Sequence, residues 1–342
     1  MTSKNLVMHK NQSGLSLVEL MISITIGLIL LAGMTTLIVQ QSGTRAELEK
    51  ASREIENGRY ATQILREDIE HAGLYGEYSP PNGTVYSIPN PCISDSTGWS
   101  TAPQVPVAIY GYPGGAADPT PTTCLPNYKP NTAILVVRRT PTVPVSVANG
   151  TSTYIQVSRC NTSTVPFMTG TGGFNLMQKD CTTPALLNQY LVNIYYISVC
   201  DVCTGARTDT IPTLKLVQNG AAPTPMVEGI ENMQFDFGID NVSPLDGSPD
   251  SYTNTPAMTD WQNVMAVRIN LLARNNDPTP GYADSKTYSL GGAGTVGPFN
   301  AAPYSLSPAC GGTASYPQLC NYKRHVYSEV VRVINSSGRR EQ

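Results

Sequence analysis

Glu19 is the only ionisable side chain in the 25-residue run from Leu15 to Val39, so its type and place pose a question of charge chemistry. At about 1.5 Å of rise per residue, a helix of that length crosses a hydrocarbon core of about 30 Å. An ionised carboxylate there is costly and calls for a cationic partner. The preceding segment, Met1 to Gly14, is short and polar, carries Lys4 and Lys10, and ends in Gln12-Ser13-Gly14. An ordinary secretory signal is cut after its apolar stretch, whereas a cut between Gly14 and Leu15 precedes it and leaves the helix on the mature chain. The new α-amine of Leu15 would then lie near Glu19. Either that amine or the amine of a neighbouring subunit can neutralise the carboxylate, and in a growing assembly only the neighbour's amine makes the pairing a register device.

Other candidate chemistry is sparse. Eight cysteines, Cys92, Cys124, Cys160, Cys181, Cys200, Cys203, Cys310 and Cys320, all follow the apolar run. Lys4, His9 and Lys10 hold the N-terminus in the cytoplasm by the positive-inside rule, which sends the cysteines outward. An even number there favours disulfides over metal ligands, in a connectivity the sequence does not give. Cys310 and Cys320 bracket a Gly/Pro/Ser loop and form the best local pair. Cys200-Asp201-Val202-Cys203 has redox or zinc spacing, but without a βαβ setting it reads as part of the structural disulfides.

The segment from Asp236 to Asp250 gathers four carboxylates, Asp236, Asp240, Asp246 and Asp250, among glycines and an asparagine. Calcium takes six to eight oxygen ligands and is one candidate; an acidic turn held open by water is the other, favoured because the spacing fails to match an EF-hand. No other cofactor is indicated. Beyond the first 14 residues the only histidines are His71 and His325, little material for a Ser/His/Asp arrangement or a His-based metal centre. No glycine-rich phosphate loop is present, and no enzyme is expected. The head from Ala72 onward holds 15 Lys/Arg and 17 Asp/Glu without a basic run longer than two residues, so no nucleic-acid partner is expected.

The elements that position these residues fall into two kinds. All 27 prolines lie at or beyond Pro80, so the front of the chain is helical and the rest is not. Leu48, Ala51, Ile55, Gly58, Thr62, Leu65, Ile69 and Ala72 recur at spacings of 3 and 4, which predicts a helix face. One helix from Leu15 to Gly73 follows, with Gly27, Gly33, Gly43 and Gly58 as weak points and Ala72-Gly73-Leu74-Tyr75-Gly76 as its stop. Residues 80–130 are Pro/Gly/Ser/Thr-rich and read as an ordered surface dominated by loops. Strands are predicted at 133–139, 153–159, 190–199, 214–218, 231–237, 264–274 and 326–334, from β-branched and aromatic runs bounded by turns. The fold class is α+β, an antiparallel sheet packed on a long helix whose first half spans the membrane. The domains are 1–14, leader; 15–39, membrane or filament-core helix; 40–75, the rest of that helix; 76–224, a Pro/Gly/Cys-rich insert with strands; and 225–342, the C-terminal sheet part.

Gly14, Leu15 and Glu19 resemble the type IV prepilin motif of a glycine before the cut, an apolar residue after it and glutamate at the fifth mature position. Leu15 departs mildly from the usual phenylalanine. The segments Met226–Phe235, Val264–Arg274 and His325–Val331 look like the C-terminal half of PilW-type minor pilins, a pattern shared with the minor pseudopilin J of type II secretion. The resemblance covers residues 12–75 and about 225–335. It implies cleavage by a prepilin peptidase, N-methylation of Leu15, and extraction of the helix from the inner membrane into a filament. The implied partners are other minor pilins, the major pilin, the peptidase and the inner-membrane assembly platform, with a tip adhesin a further candidate. The implied place is the inner membrane, single-pass with the head in the periplasm, and then the pilus and its tip. The expected role is a minor pilin in the priming or tip complex. The rivals are a type II secretion pseudopilin and a tip-located adhesion module that uses Tyr86, Trp99, Tyr110, Tyr112 and Tyr128.

Overall fold

The computed structural model describes residues 14, 16–81, 84–93, 98–99, 104–114, 124–205, 208–299 and 319–340. A long helix α1 (Leu17–Glu70) is followed by β1 (Val85–Ser87), β2 (Gln104–Pro106), β3 (Ile109–Tyr112), β4 (Ile134–Arg139), β5 (Tyr154–Val157), β6 (Phe167–Gly170), β7 (Leu187–Gln189) and β8 (Leu191–Ser198). Then come β9 (Thr213–Gln218), β10 (Thr224–Glu228), β11 (Ile230–Ile239), β12 (Ser251–Thr253), β13 (Val264–Arg274), β14 (Tyr288–Ser289), β15 (Thr295–Val296), β16 (Arg324–Arg332) and a short α2 (Ile334–Ser337). The chain divides into two compact units between Glu49 and Lys50.

In the first unit the described residues from Leu17 to Glu49 are helix. Its apolar side chains are exposed, Leu17 at 74% and Ile29 at 71%, and the segment is long and apolar enough to cross a membrane. Ser23, Thr25, Thr35 and Thr36 donate their hydroxyls to carbonyls three or four residues earlier, at 2.7 or 2.8 Å. Such back-bonding satisfies a hydroxyl within the helix where no water is available. The helix runs through Gly27, Gly33 and Gly43 unbroken.

The second unit is built around two antiparallel sheets, of order β10-β9-β8-β4-β3 and β12-β11-β13-β16. The three-stranded sheet β6-β5-β7 and the β14-β15 pair are antiparallel too, whereas β1 and β2 pair in parallel. The single expected sheet is thus several, because β4 and β8 are apolar on both faces. Leu135, Val137, Tyr195 and Ile197 join Ala61, Leu65 and Ile69 of α1 and Phe235, Val267 and Ile269 of the second sheet in one core. Ile134, Val136, Ile194 and Tyr196 face the other way, into a core with Ile155, Phe167 and Tyr190. A strand buried on both faces shows no period-2 polarity, so its sequence reveals the strand but not the second layer.

Two further differences from expectation stand out. Residues 80–130 hold β1 to β3, and β3 pairs with β4 as an edge of the five-stranded sheet. β10 straddles the expected boundary at 224/225 and pairs with β9. On α1, Gly58, Thr62, Leu65 and Ile69 are buried as predicted, but Leu48 (66% exposed) and Ile55 (50%) are not, and Glu54, Ala61 and Asp68 are buried with the face. Gly58 marks the close approach of helix and sheet: a Cβ there would meet the Tyr327 ring of β16 at 2.1 Å.

Candidate assembly site

Gly14 is exposed, with open space where a Cβ would stand. Leu15 and residues 1–13 lie outside the described residues. The Ser16 carbonyl accepts the Leu20 N–H at 3.1 Å, so helix begins immediately after the Gly14–Leu15 peptide. Glu19 falls in the first turn of α1 and is exposed. The positive end of the helix dipole favours a carboxylate there, a contribution that periodicity does not announce. Ser23 Oγ donates to the Glu19 carbonyl, and among the described residues no cation lies against its carboxylate.

In the second unit several buried charges are gathered into ion pairs. Glu231, at the start of β11, is buried and pairs with the Arg324 guanidinium of β16; Arg324 Nη1 also donates to Asp284 Oδ2 at 2.9 Å. Arg274 Nη1 and Lys129 Nζ lie 3.7 and 3.9 Å from Glu231 Oε1. Burial alone would raise the Glu231 pKa, but Arg324, Lys129 and Arg274 together bring it down to about 2. The two guanidiniums also stack on rings, Arg324 3.6 Å over Phe299 and Arg274 4.0 Å over Tyr322. Nearer the first core, the buried Asp68 of α1 pairs with Arg139 of β4 and accepts from Asn193 Nδ2 at 2.9 and 3.1 Å. Helix and five-stranded sheet are thus locked by polar as well as apolar contacts.

Glu54 differs from these. It is 7% exposed, its Oε1 has no hydrogen-bond partner among the described residues, and burial pushes its pKa up to about 7 against the pull of Arg324, Lys323 and Lys286. Sequence reading missed this cluster. The signal was there in charged residues set within apolar strands, Glu231 before Met233–Phe237 and Arg274 at the end of β13, where a charge must have a partner.

The four aspartates proposed for calcium are not brought together. Asp236 accepts Gly292 N–H at 2.8 Å and lies beside Asn270; Asp240 Oδ2 accepts Gly247 N–H and Arg340 Nη1 at 2.8 and 2.9 Å. Asp246 accepts the Ser248 N–H, and Asp250 Oδ2 the N–H groups of Asn241 and Val242. Only Asp236 lies within β11; Asp240, Asp246 and Asp250 follow it, and each carboxylate is spent on N–H groups of a different segment. Among the described residues no three His, Cys, Asp or Glu side chains are grouped to hold a metal ion. The cysteines pair Cys92–Cys124, Cys160–Cys181 and Cys200–Cys203, so the Cys-x-x-Cys motif closes on itself instead of joining a wider framework. Cys320 is also disulfide-bonded; Cys310 lies outside the described residues.

The aromatics considered for adhesion are partly buried instead of forming an exposed patch. Trp99 sits among Tyr75, Phe167 and Tyr190 at centroid distances of 4.9, 5.3 and 5.6 Å, and Tyr110 packs on Trp261 at 4.4 Å. Tyr86 lies against the first core, and Tyr112 and Tyr128 against the second.

Two matches to protein families fit this layout. Residues 9–35 match the prokaryotic N-terminal methylation motif, and residues 194–335, from within β8 to the start of α2, match PilW, the type IV pilus-assembly protein W. No curated protein and no solved structure matches the chain.

Proposed function

We propose that this chain, a type IV pilus minor pilin of the PilW family by its two matched segments, acts in the complex that primes pilus assembly or occupies its tip. The observation that carries the reading is a membrane-length apolar helix whose described side chains are exposed, with one carboxylate in its first turn. Lipid covers that surface before assembly and the helices of other minor pilins and the major pilin cover it afterwards. The peptidase cuts after Gly14, Leu15 is N-methylated, and the assembly platform lifts the chain out of the inner membrane. Glu19 then pairs with the N-terminal amine of a neighbouring subunit, and the choice of neighbour sets register. The role is noncovalent and structural, with the head exposed on the outer side throughout.

N-terminal mass spectrometry of the full chain coexpressed with a prepilin peptidase tests the pathway. A methylated Leu15 terminus is expected, and Gly14→Val is expected to leave an uncut precursor in the membrane. An intact Met1 in the unmodified chain overturns the processing site. Deletion that abolishes protein export while pili persist would assign the chain to a secretion pseudopilus instead.

A further inference from the structure

The Cys200–Cys203 disulfide lies in the connection between β8 and β9, and its surroundings differ from those of a simple clamp. Lys215 of β9 is 8% exposed, and its ammonium contacts Cys203 Sγ at 3.4 Å and donates to the Asp201 carbonyl at 2.9 Å. The fully buried Ser198 hydroxyl lies 3.5 Å from Cys203 Sγ and 3.8 Å from Cys200 Sγ. Cys200 is 6% exposed, whereas Cys203 is accessible in part, beside the exposed Val202 and Thr204. The turn is pinned without the S–S bond: Asp209 accepts the N–H groups of Asp201, Val202 and Ile211 at 2.8 or 2.9 Å. Although burial opposes it, these hydrogen bonds keep the Asp209 carboxyl below its ordinary pKa. By contrast, the sulfurs of Cys160–Cys181 meet the neutral side chains of Thr162 and Asn161.

The geometry points to an exchange-competent disulfide, in which Cys203 Sγ is attacked by a dithiol of another exported protein and Lys215 and Ser198 stabilise the sulfur anions. The incoming thiolate, drawn by the Lys215 ammonium, forms a bond to Cys203 Sγ as the Cys203–Cys200 bond breaks. The electron pair leaves on Cys200 Sγ, which the Ser198 hydroxyl can hydrogen-bond until it takes a proton from water. The partner's second thiolate then attacks the mixed disulfide and releases Cys203 as a thiolate beside Lys215. The partner dithiol is oxidised to a disulfide, and Cys200 and Cys203 are reduced. A cation against the product thiolate lowers its pKa and favours the reduced form, as at other reactive cysteines. None of this depends on the position of the chain in a filament.

The test uses the full-length protein in detergent micelles, equilibrated with mixtures of dithiothreitol and its oxidised form, acid-quenched, alkylated and read at each cysteine by mass spectrometry. Cys200–Cys203 is expected to open under less reducing conditions than Cys92–Cys124 and Cys160–Cys181. At a pH above both thiol pKa values, Lys215→Met should lower its equilibrium constant for reduction about tenfold, the effect of about one thiol pKa unit, and Lys215→Arg should restore it. An unchanged Cys160–Cys181 midpoint in the same molecules reports that the variant is folded. In the reduced unmodified protein, iodoacetamide alkylation of Cys203 should titrate below the ordinary thiol value of about 8.5, a reading that needs no variant. Opening together with or after the other pairs, a Cys203 titration at or above that value, or a folded Lys215→Met with an unmoved midpoint would overturn the proposal.

Discussion

The two units treat a carboxylate in apolar surroundings in opposite ways. In residues 50–342, Glu231 and Asp68 are buried with their cations within the same chain, Arg324 for one and Arg139 for the other. In residues 17–49, Glu19 stands on a helix that buries none of its apolar window, with no described cation against it. A paired interior charge locks one arrangement of a fold, whereas a charge whose partner lies elsewhere can select that partner. The head thus pairs Glu231 and Asp68 from within, whereas the helix leaves Glu19 without a described cation.

Glu19→Ala should break the contrast most completely. It should leave membrane insertion intact yet remove the protein from sheared filaments, and normal incorporation would refute the register role of Glu19. Within the head, Arg324→Met leaves Asp284 buried without its cation and Glu231 without the nearest of its three, so a loss of about 3–5 kcal/mol in thermal or denaturant unfolding is expected. Removing disulfides should cost stability in the order of the loops they close: about 4 kcal/mol for Cys92–Cys124, about 3 for Cys160–Cys181 and about 2 for Cys200–Cys203. Gly58→Ala forces a methyl into the Tyr327 ring and should cost about 1–3 kcal/mol, without changing membrane insertion.

Glu54 gives the most specific effect, because it depends on pH. Its folded pKa of about 7 lies above the ordinary glutamate value of 4.5, so the unfolded chain holds fewer protons at that position between those values. Its contribution to stability is fully present below about pH 4.5 and is lost as pH rises through 7, on the order of 2 kcal/mol after solvent screening. Glu231 runs the other way, since its pKa is depressed to about 2 and its contribution is lost as pH falls from about 4.5 toward 2. Glu54→Gln should therefore raise the melting temperature at pH 8 and change it little at pH 4.5; an equal shift at both pH values would show that its charge is not the cause.

Much of the scaffold was legible in the sequence. The helix, and the seven strands read from β-branched runs, follow from local signals: no proline before Pro80, a 3/4 spacing along α1, and runs such as Val264–Arg274 bounded by turn residues. β1, β2 and β3 were not foreseen, since three- and four-residue strands in Pro- and Gly-rich chain owe their conformation to the sheet they join. The helix face was read correctly from Gly58 to Ile69 but not at Leu48 and Ile55, because periodicity tells which residues share a face and not where along the helix that face is covered. The four carboxylates from Asp236 to Asp250 are near in sequence, but each accepts from a different segment, a placement that sequence distance does not give.

The sequence by itself determined the membrane-length helix, the lone Glu19 near its start, the Gly14–Leu15 peptide before it and the alternation of strand and turn beyond, since each of these depends on residues within a few positions of one another. Tertiary structure alone decided that β4 and β8 are covered on both faces, that Glu231 meets Arg324 and Asp68 meets Arg139, and that Cys200 pairs with Cys203 beside Lys215. Those outcomes depend on which distant segments share one interior, where each buried charge must find a counter-charge from whatever strand the topology places beside it.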